Sequence, residues 1–343
     1  MDIDESSNPV HQPRLPYPDG WFAIAFSDEL PRGKVIRRKF MGEELVAYRT
    51  RSGAVQVVDA HCPHLGAHLG FGGSVDGENI VCPFHHFAYD LTGRCVRTGD
   101  GSTPPRASLK PWVSCEVNGF ISVWRHAGGS APTWQVPTLP VDEFPPPTRR
   151  AFTLVDHPQD VFENTVDLAH FAPIHGFQNA MIANPLQADG PHLGIPVTFE
   201  RAFPLLGSVQ TKIVAVVHGL GCQHLTGRLD RFGADFLGQA MATPIDPIRV
   251  QTYFTLSVRS SGFSACPDWA ARTLSQILTQ AVAPFYLTDV TKDFHIWSNK
   301  KYVEHPRLSR GDGPIMEYRR WARQFYSAPP LPGQGARPKP EPS

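Results

Sequence analysis

The chain has 343 residues, with 32 basic and 32 acidic side chains and a net charge of zero. That length allows two domains with cores of their own, and the neutral balance argues against a nucleic-acid or membrane-surface partner. Six cysteines make no disulfide framework, no run approaches the roughly 18 apolar residues of a membrane span, and the opening MDIDESSNPVHQPRLPYPDG lacks the apolar core of a secretion signal, so a cytoplasmic protein is expected.

The 34 prolines, about twice the usual share, gather at the N-terminus, in APTWQVPTLPVDEFPPP and in the closing APPLPGQGARPKPEPS. They mark an arm over 1–19, a connection over 131–149 and a disordered tail over 328–343. Residues 20–130 read as an all-β domain. WFAIAF, KVIRRKF, EELVAYRT and AVQVVDA are short β-rich runs separated by turn signals such as Leu30-Pro31-Arg32-Gly33 and Ser52-Gly53. Then comes CPHLGAHLGFGGSVDGENIVCPFH. It offers Cys62 and His64, one residue apart, and Cys82 and His85, two apart, with seventeen residues between the pairs. Two thiolates and two imidazoles on two loop tips can close around one structural zinc ion. They can also hold a two-iron cluster, both cysteines on one iron and both histidines on the other.

The flanks favour the cluster. Pro63 and Pro83 stiffen the tips, and Gly66, Gly70, Gly72 and Gly73 let the backbone turn around something bulky. FAYDLTGRC continues as a strand and a turn, where a zinc finger more often has a helix. RCVRTG and ASLKPWVSCEVNGFISVWR, with its Asn118-Gly119 hairpin dipeptide, complete a small sandwich. Cys95, Cys115, Cys222 and Cys266 sit singly and read as packed thiols.

From Arg150 the pattern changes. AFTLVDH is a strand, and Pro158 sits at the first turn of a helix predicted to run through QDVFENTVDLAHF until Pro173 breaks it. Runs over 196–258 alternate apolar and polar, as in an antiparallel sheet. Pro267 and Asp268 open a long helix through WAARTLSQILTQAVAPFYLTDVTKDFHIWSNKKY, and PIMEYRRWARQFY is the last, so residues 150–327 form an α+β domain. The first of these helices carries Asn164, Asp167 and His170, and His175 follows: N-x2-D-x2-H-x4-H. Histidines five apart do not align on a continuous helix, but Pro173 lets the chain bend back and aim both rings at one point. An electron-transfer cluster needs an acceptor, and two histidines plus a carboxylate with open positions suit ferrous iron that activates O2. Asp289 and Asp293, four apart on the long helix and so on one side of it, are the candidate carboxylates.

These motifs, with HLGA at the first pair, CPFHH at the second and D-F-H-I-W on the long helix, resemble the oxygenase component of Rieske non-haem iron oxygenases over roughly residues 20–327. The resemblance implies an α+β fold: an N-terminal all-β Rieske [2Fe–2S] domain followed by an antiparallel-sheet helix-grip (START-like) catalytic domain. It implies Cys62, His64, Cys82 and His85 as cluster ligands and His170 and His175 as ligands of a mononuclear Fe(II). The family's third ligand is an Asp shortly before an Ile/Leu-Trp pair, which selects Asp293 over Asp289 and leaves His295 as a packing or surface residue. By the same carry-over Asn164 sits near the iron, and Asp167 bonds His170 and, across a subunit boundary, His85 of the partner subunit. That bridge needs a head-to-tail ring, a homotrimer.

The implied reaction uses O2 and electrons from NAD(P)H. A separate ferredoxin reductase-type partner supplies them, because the chain has no G-x-G-x-x-G after a strand and no flavin signature. The segment DFHIWSNKKY…DGPIMEYRRWARQFY most resembles the steroid-directed branch, the 3-ketosteroid 9α-hydroxylase oxygenases and cholesterol 7-desaturases. It implies hydroxylation or desaturation of a bulky apolar, steroid-like substrate. CPFHH and HLGA also occur in natural-product tailoring Rieske enzymes, which perform N-oxygenation or oxidative cyclisation. A non-catalytic Rieske electron carrier is a third reading, and the intact His170, His175 and Asp293 stand against it. Inward-facing Phe, Val and Leu under a capping helix make an apolar cavity, expected to be lined from 176–195 and 218–240.

Overall fold

The computed structural model describes residues 15–203 and 207–327; the expected disordered tail and residues 1–14 of the arm lie outside the described residues. The N-terminal domain is built from β1 (Gly20–Phe26), β2 (Val35–Phe40), β3 (Glu43–Arg49), β4 (Val55–Asp59), β5 (Ser74–Asp76), β6 (Asn79–Val81), β7 (Ala88–Tyr89), β8 (Cys95–Arg97), β9 (Pro111–Trp112), β10 (Ser114–Val117) and β11 (Phe120–Arg125). They form three antiparallel sheets, ordered β1-β11-β10, β2-β3-β4-β9 and β5-β6-β7-β8. The strand β3 explains how these layers meet. Leu45 and Ala47 enter one core with Phe22 and Ile24, while Val46 and Tyr48 enter a second core with Cys62, Cys82 and Tyr89. A strand buried on both faces reads as a continuous apolar run, which LVAY is. The hairpin at Asn118-Gly119 takes positive φ at both residues, 54° and 85°, as a two-residue turn of the right twist requires.

The second domain runs β12 (Thr148–Val155), α1 (Pro158–Glu163), β13 (Gln178–Ile182), β14 (Gln187–Asp189), β15 (His192–Phe203), β16 (Gly207–His218), β17 (Cys222–Leu229), β18 (Ala234–Pro244), β19 (Arg249–Ser260), α2 (Asp268–Trp297) and α3 (Ile315–Ala322). Its strands make one antiparallel sheet, β12-β19-β18-β17-β16-β15-β13, with β14 added beside β15. Leu193, Ile195 and Val197 alternate inward with Ala215 and Val217, and Trp297, Tyr318 and Trp321 from the helices close that core. The other face takes the N-terminal domain: Ala23, Phe26 and Phe120 pack on Cys222, Met241 and Tyr253. Tyr253 donates its hydroxyl to the Ile24 carbonyl at 2.7 Å, and Thr243 donates to Ala23 at 2.6 Å. The two domains therefore share a packed, hydrogen-bonded face. None of the six cysteines is in a disulfide, and among the described residues no helix is long and apolar enough to cross a membrane.

One expected element is corrected. The helix predicted through His170 stops at Glu163. His157 starts it, its Nδ1 accepting from Gln159 N at 3.2 Å; Val166 N and Asp167 N still donate back to the Glu163 carbonyl, but from Leu168 the chain bonds elsewhere. Leu168 N donates to the Asp312 carbonyl, and Gly313 lies so close to Val166 that an added Cβ would overlap its carbonyl oxygen. Arg319 of α3 grips Glu163 with two hydrogen bonds of 2.6 and 2.7 Å. These long-range contacts outcompete the helical ladder. Asp167 is thus on an irregular stretch just past the helix end, and the chain next makes a single π turn over Phe171–His175, closed by Gly176 at φ 71°. Pro173 lies inside that turn and ends no helix. The long helix α2 stops at Trp297, short of the Tyr302 expected.

Candidate metal centres

The two loops of the N-terminal domain are the same turn used twice. Cys62 N donates to the Ala67 carbonyl and Cys82 N to that of Phe87, both at 2.8 Å; Gly66 N donates to Cys62 and His86 N to Cys82. Gly66 and His86 occupy the same left-handed position, at φ 77° and 55°. Both cysteines are buried and both histidines half-buried. The His64 and His85 rings stand 4.8 Å apart, and Phe87 stacks on His64 at 4.2 Å and 9°. Tyr89 Oη lies 3.0 Å from Cys62 Sγ. Burial, with Cys62 beside it, raises the Cys82 thiol, so keeping it as a thiolate calls for a bound cation.

The spacing of the donors tests which cation fits. Among the described residues, sets of three or more donors within 4.8 Å of one another occur at Glu44/His61/His68 and at His170/His175/Asp293, and neither set includes Cys62, His64, Cys82 or His85. One tetrahedral zinc, with bonds of about 2.0–2.3 Å, would need its four donors within about 4 Å of one another. Donors spread wider, cysteines inside and histidines outside, fit an elongated two-iron cluster.

In the second domain the π turn does what the sequence assigned to a proline bend. Gly176 N reaches back to the Phe171 carbonyl, and this wider winding brings residues five apart toward one side. The His170 and His175 rings are 5.1 Å apart. The helix α2 delivers Asp293, whose Oδ1 is 3.3 Å from His175 Nε2, with both side chains only 7% exposed. Asn164 donates to the other oxygen of Asp293 at 3.0 Å, and its own oxygen accepts from Trp297 Nε1 at 3.3 Å. Nδ1 and Nε2 of His170 and Nδ1 of His175 are buried with no hydrogen-bond partner. Buried polar nitrogens left bare are rare and costly, and a metal ion among them is a fitting partner for two imidazoles and a carboxylate.

The other expected residues fall as follows. Asp289 is turned away, paired with Arg201 and with Lys292 at 3.1 Å. Asp167 holds its carboxylate 3.7 Å from His170 Nδ1 with 36% of the side chain exposed. His295 is exposed. An aromatic wall that the sequence did not signal backs the site: Phe177 stacks on His175 at 5.2 Å and on Phe199 at 4.3 Å. Phe177 and Phe199 belong to no spaced motif, so only the fold reveals them. Tyr89 and Phe87 were readable in principle, two apart where the chain leaves the second loop.

Comparison with known proteins agrees with this geometry. The Rieske [2Fe-2S] domain family matches residues 20–110, and the 3-Ketosteroid 9alpha-hydroxylase C-terminal domain family matches residues 123–326. The chain is 31% identical to cholesterol 7-desaturase nvd of Drosophila melanogaster, over 91% of this chain and 76% of that one. It is 28% identical to the probable 3-ketosteroid-9-alpha-monooxygenase oxygenase component of Rhodococcus rhodochrous, over 92% and 82%. In fold it is similar to Pseudomonas putida CBB5 NdmA, with a TM-score of 0.66 at 16% identity over 88% of both chains. It is equally similar to apo dicamba monooxygenase, with a TM-score of 0.66 at 16% identity over 90% and 96%. The chain belongs to the Rieske oxygenases, in the family of the 3-ketosteroid 9alpha-hydroxylase C-terminal domain, and is an oxidoreductase.

Proposed function

We propose that this chain is the oxygenase component of a monooxygenase that hydroxylates or desaturates a bulky apolar, steroid-like molecule, with O2 and with electrons drawn from NAD(P)H through a separate ferredoxin reductase-type partner. The observation that carries the reading is the convergence of His170, His175 and Asp293, with bare buried nitrogens, in a chain that also presents the two Cys-His loops. The names of the relatives, a cholesterol desaturase and a ketosteroid monooxygenase, support the substrate class. A mononuclear iron bound there would be where O2 is activated against the substrate. Cys62, His64, Cys82 and His85 would hold the cluster.

The chain's own residues have definable tasks around that site. His170, His175 and Asp293 come from two elements and cover one side of a metal, leaving the rest open. Asn164 fixes the second oxygen of Asp293 and is itself anchored on Trp297. Phe177 and Phe199 back His175 with apolar surface that excludes water. Asp167 lies beside His170 with its carboxylate partly exposed, which supports assigning it the bridge to His85 of the partner subunit in a homotrimer. The same proposal puts the division of the chain at the proline-rich connection 131–149, between 20–130 and 150–327, and the protein in the cytoplasm.

The test is metal content and spectra of anaerobically purified protein, then turnover of apolar polycycles with a reductase and NADH. About three irons and two sulfides per chain, with a Rieske-type EPR signal, are expected. Two irons and two sulfides, unchanged by added ferrous iron, would mean an electron carrier. Colourless protein with one zinc would end the oxygenase reading. Asp167→Ala should keep all three irons and lose turnover by at least about a hundredfold; unimpaired turnover removes the bridge.

A further inference from the structure

His175 is not oriented in the way that metal-binding histidines usually are. A histidine that holds a metal through one ring nitrogen normally donates the other N–H to a carboxylate or a carbonyl, which fixes the plane of the ring. Nε2 of His175 faces Asp293 at 3.3 Å, so Nδ1 is the nitrogen that such a partner would hold. Nδ1 is buried and has no hydrogen-bond partner among the described residues. Apart from its fellow ligands, the ring meets aromatic carbon. Phe177 stacks on it at 5.2 Å and 25°, and Phe171 stands edge-on at 6.2 Å and 89°.

The ring of Phe177 must therefore be held in place itself. Its backbone N donates to the Phe171 carbonyl at 3.0 Å, but on its other side the pairing of β13 with β15 is interrupted between Gln178 and Met181. Its side chain is sandwiched more firmly. Phe199 of β15 stacks on it at 4.3 Å and 14°. Arg201 follows Phe199 by two residues on the same strand, so the two side chains leave one face of it. The Arg201 guanidinium stands over the Phe177 ring, 5.3 Å from its centre, within the reach of a cation on a ring face.

The same guanidinium is paired with Asp289, which lies about one helical turn before Asp293 on the same side of α2. Arg201 thus ties the helix that delivers Asp293 to the ring that faces His175. A flat guanidinium suits both contacts, because it stacks on a ring while its edge bonds a carboxylate. We infer that Arg201 is a positioning residue for the iron site: anchored on α2 through Asp289, it holds Phe177 against His175. The stack sets the plane of the His175 ring in place of the usual hydrogen bond. This rests on the reading of His170, His175 and Asp293 as ligands of iron.

The experiment is a double-mutant cycle on Arg201→Met and Phe177→Leu. Its readouts are anaerobic titration with ferrous iron and the EPR line shape of the mononuclear iron with nitric oxide added as a probe. Each single variant should bind ferrous iron about 10-fold more weakly, the usual cost of losing a group that orients a ligand, and should change the line shape. The double variant should lose no more than either single one, because Arg201 acts through Phe177. In excess ferrous iron the count stays at about three per chain, and an intact Rieske signal reports that each variant has folded. Wild-type affinity and line shape in both single variants overturn the assignment. So do losses that multiply to about 100-fold in the double variant, which make the two residues independent. Weaker binding with an unaltered line shape also overturns it, since an ion pair that only stiffens the fold would give that result. If Arg201→Met loses the Rieske signal, Arg201→Lys, which keeps the charge without the flat fork, takes its place in the cycle with the same outcomes. Wild-type protein that takes up no ferrous iron beyond the cluster defeats the iron reading itself, and the assignment falls with it.

Discussion

Asp289 and Asp293 show how much chemistry depends on which neighbours a side chain meets. Both project from the same side of α2, and both are buried. Asp289 meets Arg201 and Lys292, so its charge is already balanced. Asp293 meets His175 and the Asn164 amide and leaves its negative charge facing two imidazoles. A carboxylate balanced by two cations is a poor metal ligand, and one aligned by an amide is a good one. Asp293→Ala is therefore expected to empty the mononuclear site, leaving about two irons per chain with the cluster signal intact. Asp289→Ala should retain about three irons, and at most loosen α2 by freeing Arg201. Iron counts in the reverse order would move the ligand assignment to Asp289. Spacing alone could not separate the two, because residues four apart share a helix face. The deciding partner, Arg201, comes from β15 and carries no local signature. Cys62, His64, Cys82 and His85 stand out in the sequence as candidate ligands because metal chemistry restricts residue type and spacing together.

At the scale of elements, turns decide where the ligands point. The left-handed position after each Cys-His loop is filled by Gly66 in the first and His86 in the second. A side chain at such a φ costs about 1–2 kcal/mol. His86 is exposed, so replacing it sacrifices little packing. His86→Gly should raise stability by about 1 kcal/mol after the extra entropy of an unfolded glycine is deducted. Gly66→Ala should lower it by a similar amount, although nothing stands within 4 Å of the added methyl. Thermal loss of the visible cluster absorbance measures both, and an unchanged midpoint in both variants would show that neither turn is strained. The π turn at 171–175 was not legible. Its histidine spacing told only that a straight helix would fail, and the contacts that turn the chain away after α1 come from Asp312, Gly313 and Arg319, over a hundred residues away. The long sheet was legible, because one-sided burial writes itself as alternation.

The molecule as a whole rests on the face where the N-terminal domain meets the large sheet, and a chain of histidines borders that face. His218 Nδ1 is 2.8 Å from His192 Nδ1, and His218 Nε2 is 2.8 Å from His224 Nδ1. Trp134 of the proline-rich connection packs edge-on to His192 at 5.6 Å. Neutral imidazoles satisfy this chain, each link needing one donor and one acceptor; a protonated His218 would have two donors and no nearby carboxylate. Burial, then the neighbouring His224 and His192, push His218 down to about 3, and burial first pushes His224 down to about 4. Unfolded histidines titrate near 6.5. Between those values the unfolded chain binds more protons, so the contribution to stability is complete above pH 6.5 and is lost as pH falls toward 4 and then 3. Each such proton gives a slope of about 1.4 kcal/mol per pH unit. Asp156 and Glu163, raised chiefly by burial, tilt the profile the other way, so a variant isolates the histidines better than the wild-type curve does. His218→Gln should lower stability at pH 7.5 yet flatten the decline between pH 6 and 4.5 by about one proton. Chemical denaturation at several pH values reads that slope directly, and an unchanged slope would show that His218 is not neutral in the folded chain.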